Sequence, residues 1–318
     1  MSSKKICFLL FPGVHVLDLS GSVQAFYEAS NLGNIKYEIS FASNTSSVKT
    51  EQGLVLSELV SPKNLELSKN DFIIIPGTDF KKLSQGQLDS EIELVKEWVT
   101  KQYSEGVKIA SICSGSLILA RMGLLDLKKC TTHWKCIDYM KDTFPNVKVE
   151  GDKLFENDSN IYTSAGMTSG IDMSLSIIEE DQGPIVSTKV AREMVVYLRR
   201  QGTTNQHSIY LDYHTHFNPI VHKVQNHILS NPAKNFSLEE LSIIGNTSVR
   251  NLTRSFKKAT GTTVNEFKND MKLELAKELI NNPNYTLDTI SDMCGFKAPR
   301  QLQRIWKDKF GKSISEFR

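Results

Sequence analysis

Over roughly the first 180 residues the chain alternates two patterns: nearly continuous apolar runs, and stretches whose apolar residues recur every three or four positions. Runs of the first kind, at residues 6–11, 37–42, 71–75 and 107–112, predict strands. Phe72-Ile73-Ile74-Ile75 is apolar on successive positions, as a parallel strand covered on both faces must be. The second kind predicts helices at residues 23–30, 92–103 and 114–121, and a closing helix at 186–200. Such alternation predicts a sheet flanked by helices. From about residue 222 only helical spacing remains, and Gln201-Gly202-Thr203-Thr204-Asn205-Gln206 reads as the start of a linker. The expected organisation is an α/β domain over 1–200, a linker over 201–221 and an all-helical domain over 222–318.

The helical part repeats itself. Asn235-Phe236-Ser237-Leu238 returns as Asn284-Tyr285-Thr286-Leu287, and Arg250-Asn251-Leu252-Thr253-Arg254-Ser255-Phe256 returns as Arg300-Gln301-Leu302-Gln303-Arg304-Ile305-Trp306. The copies then reach Gly261 and Gly311 and close on Asn265-Glu266-Phe267 and Ser315-Glu316-Phe317. One duplication with a residue inserted near Gly295 accounts for the spacing. Each copy predicts two helices at a sharp turn. In the first, Ser237 and Glu240 form a capping box, Leu238, Leu241 and Ile244 face inward, and Gly245-Asn246 turns. A second helix then starts near Ser248, buries Val249, Leu252 and Phe256, and stops at Gly261. In the second, Thr286 caps, Leu287, Ile290 and Met293 pack, Cys294-Gly295 turns, and Leu302, Trp306 and Phe310 face inward. Thr263 and Glu266 open a longer helix joining the copies.

Charge sharpens this picture. The whole chain carries 38 Lys and Arg against 36 Asp and Glu, a net +2 that argues against a nucleic-acid partner. The balance is uneven, however: Val221 to Arg318 holds 16 basic against 10 acidic residues, and the preceding part 22 against 26. Arg250, Asn251, Arg254, Lys257 and Lys258 lie on the outer face of one second helix, and Arg300, Gln301, Gln303, Arg304 and Lys307 on the other. Arg pairs bidentately with guanine and Asn or Gln with adenine, while Lys suits phosphate. These ten residues are the expected contacts to double-stranded promoter DNA. Five irregularly spaced cysteines predict free thiols in a reducing compartment. The apolar start ends at Pro12-Gly13, too early for a secretory leader, and no run approaches a membrane span. A cytoplasmic protein with no membrane partner is expected.

Residues 222–318 resemble the AraC/XylS-type DNA-binding domain. The likeness rests on Ser248-x-Arg250-Asn251-Leu252-x-Arg254-x-Phe256, on Ile290 with Cys294-Gly295-Phe296, and on Phe310-Gly311-Lys312-Ser313 before Phe317-Arg318. Val249 stands where that family usually has Pro, and Trp306 where it has Phe.

In the first domain Cys113 falls at a strand-to-helix junction, Ser111-Ile112-Cys113-Ser114-Gly115, with the small neighbours of a nucleophile elbow. A thiol at a helix start is expected to lean toward thiolate, and backbone N–H groups near Ser114 and Gly77 toward an oxyanion hole. The competing reading is a small thiol packed behind a turn. His133 reads as a structural histidine or a base, and Asp18 as a helix cap or a site carboxylate. His207, His214, His216, His222 and His227 cluster across the linker, but no Cys or carboxylate spacing completes a zinc site, and no metal or cofactor is expected.

The same domain carries Phe11-Pro12-Gly13, Leu17-Asp18-Leu19-Ser20-Gly21, Ile75-Pro76-Gly77, Gly123-Leu124-Leu125, Thr131-Thr132-His133-Trp134 and Thr163-Ser164-Ala165-Gly166 ahead of Gly170-Ile171-Asp172. With the elbow, these motifs resemble the ThiJ/PfpI-like, class I glutamine amidotransferase-like domain. Paired with the AraC-type tail, they resemble the GlxA-type transcriptional regulators. The resemblance implies a flavodoxin-like fold with a parallel sheet, and a homodimer formed through this domain. It also implies a small, nitrogenous effector bound near Cys113 by Asp18, Gly77, Thr78, Ser114 and His133. PfpI-like proteases carry His directly after the cysteine; here that position is Ser114, and Thr78 replaces a second Gly. Loss of the adjacent base favours ligand binding or redox sensing over acyl transfer. The expected protein is a ligand-responsive regulator rather than an enzyme. The alternatives are an amidase- or hydratase-like thiol enzyme and a redox-switched regulator.

Overall fold

A strand covered on both faces has no polar side, and β5 (Phe72–Ile75) meets that condition: all four residues are wholly buried. In this computed structural model β5 lies near the middle of a six-stranded sheet with β1 (Ser2–Leu9), β2 (Ile35–Ala42), β6 (Lys108–Ile112), β9 (Phe155–Asp158) and β10 (Ile161–Ser164). The order is β2-β1-β5-β6-β10-β9, parallel except for β9. Two-residue alternation divides the core. Cys7, Leu9, Ile73, Ile75 and Ile109 face one helical layer, and Ile6, Phe8, Phe72, Ile74 and Ala110 face the other. The structure describes residues 2–196, 199–202, 206, 213, 216–280, 282 and 284–317.

The first layer comprises α3 (Asp89–Ser104), α4 (Gly115–Arg121) and α5 (Ile137–Thr143), with the short α2 (Phe80–Ser84) beside them. The second comprises α1 (Val16–Leu32), α6 (Thr168–Gln182) and α7 (Pro184–Glu193). Strand order reverses between β1 and β5, and a crevice at the carboxyl ends of strands is expected there. A short hairpin, β3 (Ser47–Lys49) with β4 (Val55–Ser57), and a short parallel pair, β7 (Lys129–Cys130) with β8 (Lys148–Val149), complete the unit.

Several expectations need correction. Helix α1 starts seven residues earlier than the apolar spacing indicates, because Ser22 is buried and bonded to Ser174 of α6 (2.9 Å) rather than solvated. The predicted closing helix at 186–200 is α7, which starts earlier and ends at Glu193; Val195 has φ +54°, which a helix cannot continue through. Strand β10 and helix α6 were not predicted. The strand is only four residues long and half polar, with Thr163 and Ser164 fully buried.

The chain divides into two compact units, Met1–Gln206 and His207–Arg318. In the second, α8 (Pro219–Leu229) begins inside the predicted linker, capped by Asn218. The first helix pair is α9 (Leu238–Ile244) and α10 (Val249–Thr260), and the second is α12 (Leu287–Met293) and α13 (Pro299–Phe310). Helix α11 (Val264–Ile280) joins them. The Ser237 and Glu240 capping box is formed, Ser248 and Thr286 cap their helices, and Gly261 and Gly311 end α10 and α13 in the left-handed conformation. The turn residues in register are Asn246 (φ +49°) and Gly295 (φ +70°), so the left-handed step is shared although its residue type is not. Met293 is 43 % exposed instead of packed; Ser291 and Cys294 are buried in its place. Each pair has its own core, around Leu252 and Phe256 in one and Leu302 and Trp306 in the other. Lys272, buried on α11, ties the pairs together: its ammonium donates to Asn235 Oδ1 (2.6 Å) and to the Gly295 carbonyl. Asn235 Nδ2 donates to that same carbonyl (3.0 Å).

Candidate effector site and nucleic-acid interface

Cys113 directly follows β6 with φ +57°, a conformation costly for a side chain with a Cβ and held here from several sides. Its N–H donates to Ser164 O (2.9 Å), while its carbonyl accepts from the hydroxyls of Ser116 (3.0 Å) and Thr132 (3.1 Å). Two glycines make room for it. A Cβ on Gly166 would sit 2.3 Å from that of Cys113, and one on Gly77 would sit 2.4 Å from Asp18 Oδ2 and 2.8 Å from Cys113 Cβ. The elbow thus lies where the ends of β5 and β6 meet the first turn of α1, beside the switch point of the sheet.

Asp18 is 1 % exposed, accepts the Met167 N–H at Oδ1 (2.6 Å) and turns Oδ2 toward Cys113. It does not cap α1, whose cap position is held by His15, and its carboxylate faces the elbow. His15 is the residue that sequence reasoning missed. Its Nδ1 lies 3.5 Å from Asp18 Oδ2, and N, O and S atoms of His15, Asp18 and Cys113 all fall within 4.8 Å of one another. The available signal was the three-residue spacing from His15 to Asp18, which brings both to the first turn of one helix.

The electrostatics reverse one expectation. Burial, and then the Asp18 carboxylate, push the Cys113 thiol well above its ordinary range, and the single Ser114 N–H that opposes them is outweighed. The seven-residue α4 does not make Cys113 a thiolate. The oxyanion hole is also altered: the Thr78 N–H is taken by Ser114 Oγ (2.9 Å), whose hydroxyl donates back to Thr78 O (2.6 Å). Thr78 Oγ1 is spent on Pro12 O (2.6 Å). The His15 imidazole is held above its ordinary range, chiefly by Asp18 and also by Glu51 and Asp79, so the approach to the thiol is acidic. His133 lies within electrostatic reach of Asp18 and His15 but is lowered by burial and Lys135; its Nδ1 accepts from the Lys135 N–H (3.3 Å) and so serves a turn. A cavity of about 230 Å³ lies elsewhere in this unit, lined by Lys153, Phe155, Tyr162, Glu180, Gln201 and Gly202.

Residues 4–180 match the DJ-1/PfpI family, more than half of the sequence. The chain belongs to the DJ-1/PfpI family. Residues 242–318 match a helix-turn-helix domain, so this DJ-1/PfpI protein carries an AraC-type tail. It is 28% identical over 230 residues to the HTH-type transcriptional regulator GbdR of Pseudomonas aeruginosa, covering 71% of this chain but 62% of that protein. It is 26% identical over 317 residues to the HTH-type transcriptional regulator CdhR of the same species, covering 99% and 92% of the two chains. A crystal structure of an AraC family transcriptional regulator from Pseudomonas putida shares the fold at a TM-score of 0.52 and 18% identity, over 60% of this chain and 99% of that one.

In the helix-turn-helix part of this DJ-1/PfpI protein, Arg250, Arg254, Lys257 and Lys258 are exposed on α10, and Arg300, Gln303, Arg304 and Lys307 on α13. The first four line one shallow depression. Asn251 and Gln301, at equivalent positions, are held back. Asn251 Nδ2 donates to Thr247 Oγ1 (2.7 Å), and Gln301 Oε1 accepts the Lys297 N–H (2.9 Å). Both amides take part in securing helix starts. Of the linker histidines, His207 and His214 lie outside the described residues. The rings of His216 and His222 stack at 4.4 Å, and His227 packs on Phe236. Among the described residues these histidines join no metal-binding cluster. All five cysteines are buried and outside any disulfide among the described residues, where no helix is long and apolar enough to cross a membrane.

Proposed function

We propose that this protein is a cytoplasmic transcriptional regulator. Its DJ-1/PfpI domain binds a small nitrogenous effector beside Cys113, and its two helix-turn-helix units bind promoter DNA. The observation that carries the reading is the duplicated basic helix. Two amphipathic helices, each ending at a left-handed glycine and each with arginines and lysines on the free face, flank one linking helix. Arg250, Arg254, Arg300 and Arg304 would read bases, and Lys257, Lys258 and Lys307 would contact phosphate, with Gln303 alongside. Asp18, Gly77, Thr78, Cys113, Ser114 and His133 remain the proposed effector residues, joined by His15. An acidic approach around Asp18, Glu51 and Asp79 suits a basic nitrogen. A thiol held protonated, beside a Thr78 N–H already bonded, opposes the amidase-like alternative. Dimerisation through the α/β domain would place two copies on neighbouring half-sites.

The test is recovery of genomic fragments bound by the purified full chain, followed by binding of the recovered fragment by an Arg250→Ala/Arg300→Ala double variant. Loss of at least tenfold in affinity is expected if either arginine makes a bidentate base contact. Unchanged affinity refutes the assignment.

A further inference from the structure

Nitrogen, oxygen and sulfur donor atoms converge at the elbow with little else to bind. His15 Nδ1 and Asp18 Oδ2 are both buried, and neither has a nitrogen or oxygen partner in hydrogen-bond geometry among the described residues. They face each other at 3.5 Å, longer than an ordinary N–H···O bond. The Cys113 thiol completes the group, all the donor atoms lying within 4.8 Å of one another. Among the described residues no second cluster of this kind occurs.

The remaining polar atoms of each residue are committed elsewhere. The His15 N–H donates to Gly77 O (2.8 Å), and Asp18 Oδ1 accepts the Met167 N–H (2.6 Å), which leaves Oδ2 to face inward. Cys113 is fixed through its N–H by Ser164 and through its carbonyl by Ser116 and Thr132. Donors whose outer atoms are secured in this way are what a metal site requires besides its ligands. The element mix then narrows the ion. Magnesium and calcium take oxygen ligands, copper(I) prefers soft sulfur, and imidazole, carboxylate and thiolate together suit Zn²⁺. Donors on a tetrahedral Zn²⁺ stand about 3.3–3.6 Å apart, a spacing that His15 and Asp18 already have, and the thiol has at most about 1.2 Å to close. The His15 side chain is 19 % exposed against 0 % for Asp18, so it is the ligand that meets an entering ion. Glu51 and Asp79, which share Lys82 at 3.8 Å each, act electrostatically on His15 and favour a cation on that approach.

We propose that His15, Asp18 and Cys113 form a Zn²⁺ site with the fourth position open to water. The ion takes the Cys113 sulfur as thiolate, and the thiol proton leaves to solvent together with that of His15 where the imidazole is charged. One carboxylate and one thiolate then neutralise the dication. A coordinated thiol is deprotonated outright, so the ion overrides the burial that keeps Cys113 protonated without it. The site goes beyond the effector reading and stands without it.

The test uses the full-length protein, stripped with a chelator and titrated with Co²⁺ alone and then with Zn²⁺. One equivalent of Co²⁺ is expected to bind, with a thiolate-to-cobalt charge-transfer band in the near ultraviolet and the intense visible absorption of a tetrahedral ion. Zn²⁺ should displace it and protect Cys113 from iodoacetamide. Cys113→Ser should abolish the charge-transfer band, and His15→Gln and Asp18→Asn should each weaken Zn²⁺ binding by about tenfold or more, since loss of a supporting residue alone costs about 10- to 100-fold. His15→Gln changes the least buried of the three and serves if the other variants fail to fold. A charge-transfer band that survives Cys113→Ser, equal Zn²⁺ affinity in His15→Gln and the native chain, or no Co²⁺ binding overturns the site. Each of those results leaves the DNA and effector assignments standing, because their test contains no added metal.

Discussion

Replacing Asp18 by Asn tests the charge logic of the elbow most directly. Asparagine keeps a carbonyl for the Met167 N–H but removes the negative charge that faces the thiol. The site atoms lie within 4.8 Å of one another. At that distance, with an effective dielectric constant of about 20, a unit charge is worth about 3.5 kcal/mol. Nucleophilicity falls as the thiol becomes more acidic, with a Brønsted coefficient of about 0.4–0.5, so only about half of that energy reaches the rate, a gain on the order of tenfold. Burial, the larger cause, is untouched, and Cys113 stays mostly protonated near neutral pH. Alkylation by iodoacetamide, followed peptide by peptide in the mass spectrometer, should therefore be slow in the native protein and about tenfold faster at Cys113 in Asp18→Asn. Cys7, Cys130 and Cys136, whose thiols burial pushes up to about 12, serve as internal references and should not respond. A slower reaction in Asp18→Asn would mean that the carboxylate takes the thiol proton and activates it. The argument against thiol catalysis would then fall.

Three further outcomes are expected. His15 is raised by its pairing with Asp18, so its stabilising share is complete below the unfolded value of about 6.5 and is lost as pH rises through the folded value; the melting-temperature gap between native protein and His15→Gln should narrow as pH rises above about 6.5, and a constant gap refutes the pair. Gly295→Ala, at φ +70° with the Ala233 carbonyl 1.7 Å from the new Cβ, should cost about 2–5 kcal/mol in urea unfolding, whereas Asn246→Gly at the equivalent turn should stay within about 0.5 kcal/mol. Lys257→Ala and Lys307→Ala should each flatten the dependence of log K on log salt by about one while leaving sequence preference alone; altered preference would move them among the base readers.

The parts of this molecule legible in its sequence are those that local physics decides. Phe72 to Ile75 needed no context to read as a doubly covered strand, and Ser237, Ser248, Thr286, Gly261 and Gly311 declared helix ends because capping and left-handed turns are settled within a few residues. The elbow position of Cys113 was likewise readable from a strand meeting a helix across small residues. Its protonation was not, since that depends on burial and on Asp18 approaching from another element. Strand β10 was hidden because Thr163 and Ser164 are buried although polar, with Thr163 Oγ1 accepting the Thr131 N–H (2.8 Å). Gln206 looked like one more polar linker residue; only the loops folded around it give its amide four acceptors. For Asn251 and Gln301, composition marks an amide as a base reader without showing that the helix start also uses it.

The buried ammonium of Lys272 has a consequence for the DNA itself. By joining Asn235 before one helix pair to the Gly295 turn of the other, it makes the two basic helices a single rigid gauge rather than two independent fingers. A rigid gauge tolerates changes of base far better than changes of phase. Inserting about five base pairs between the two recognised segments would carry one of them to the opposite face of the duplex, where α11 cannot follow, while inserting a full turn of about ten would restore the face but exceed the reach.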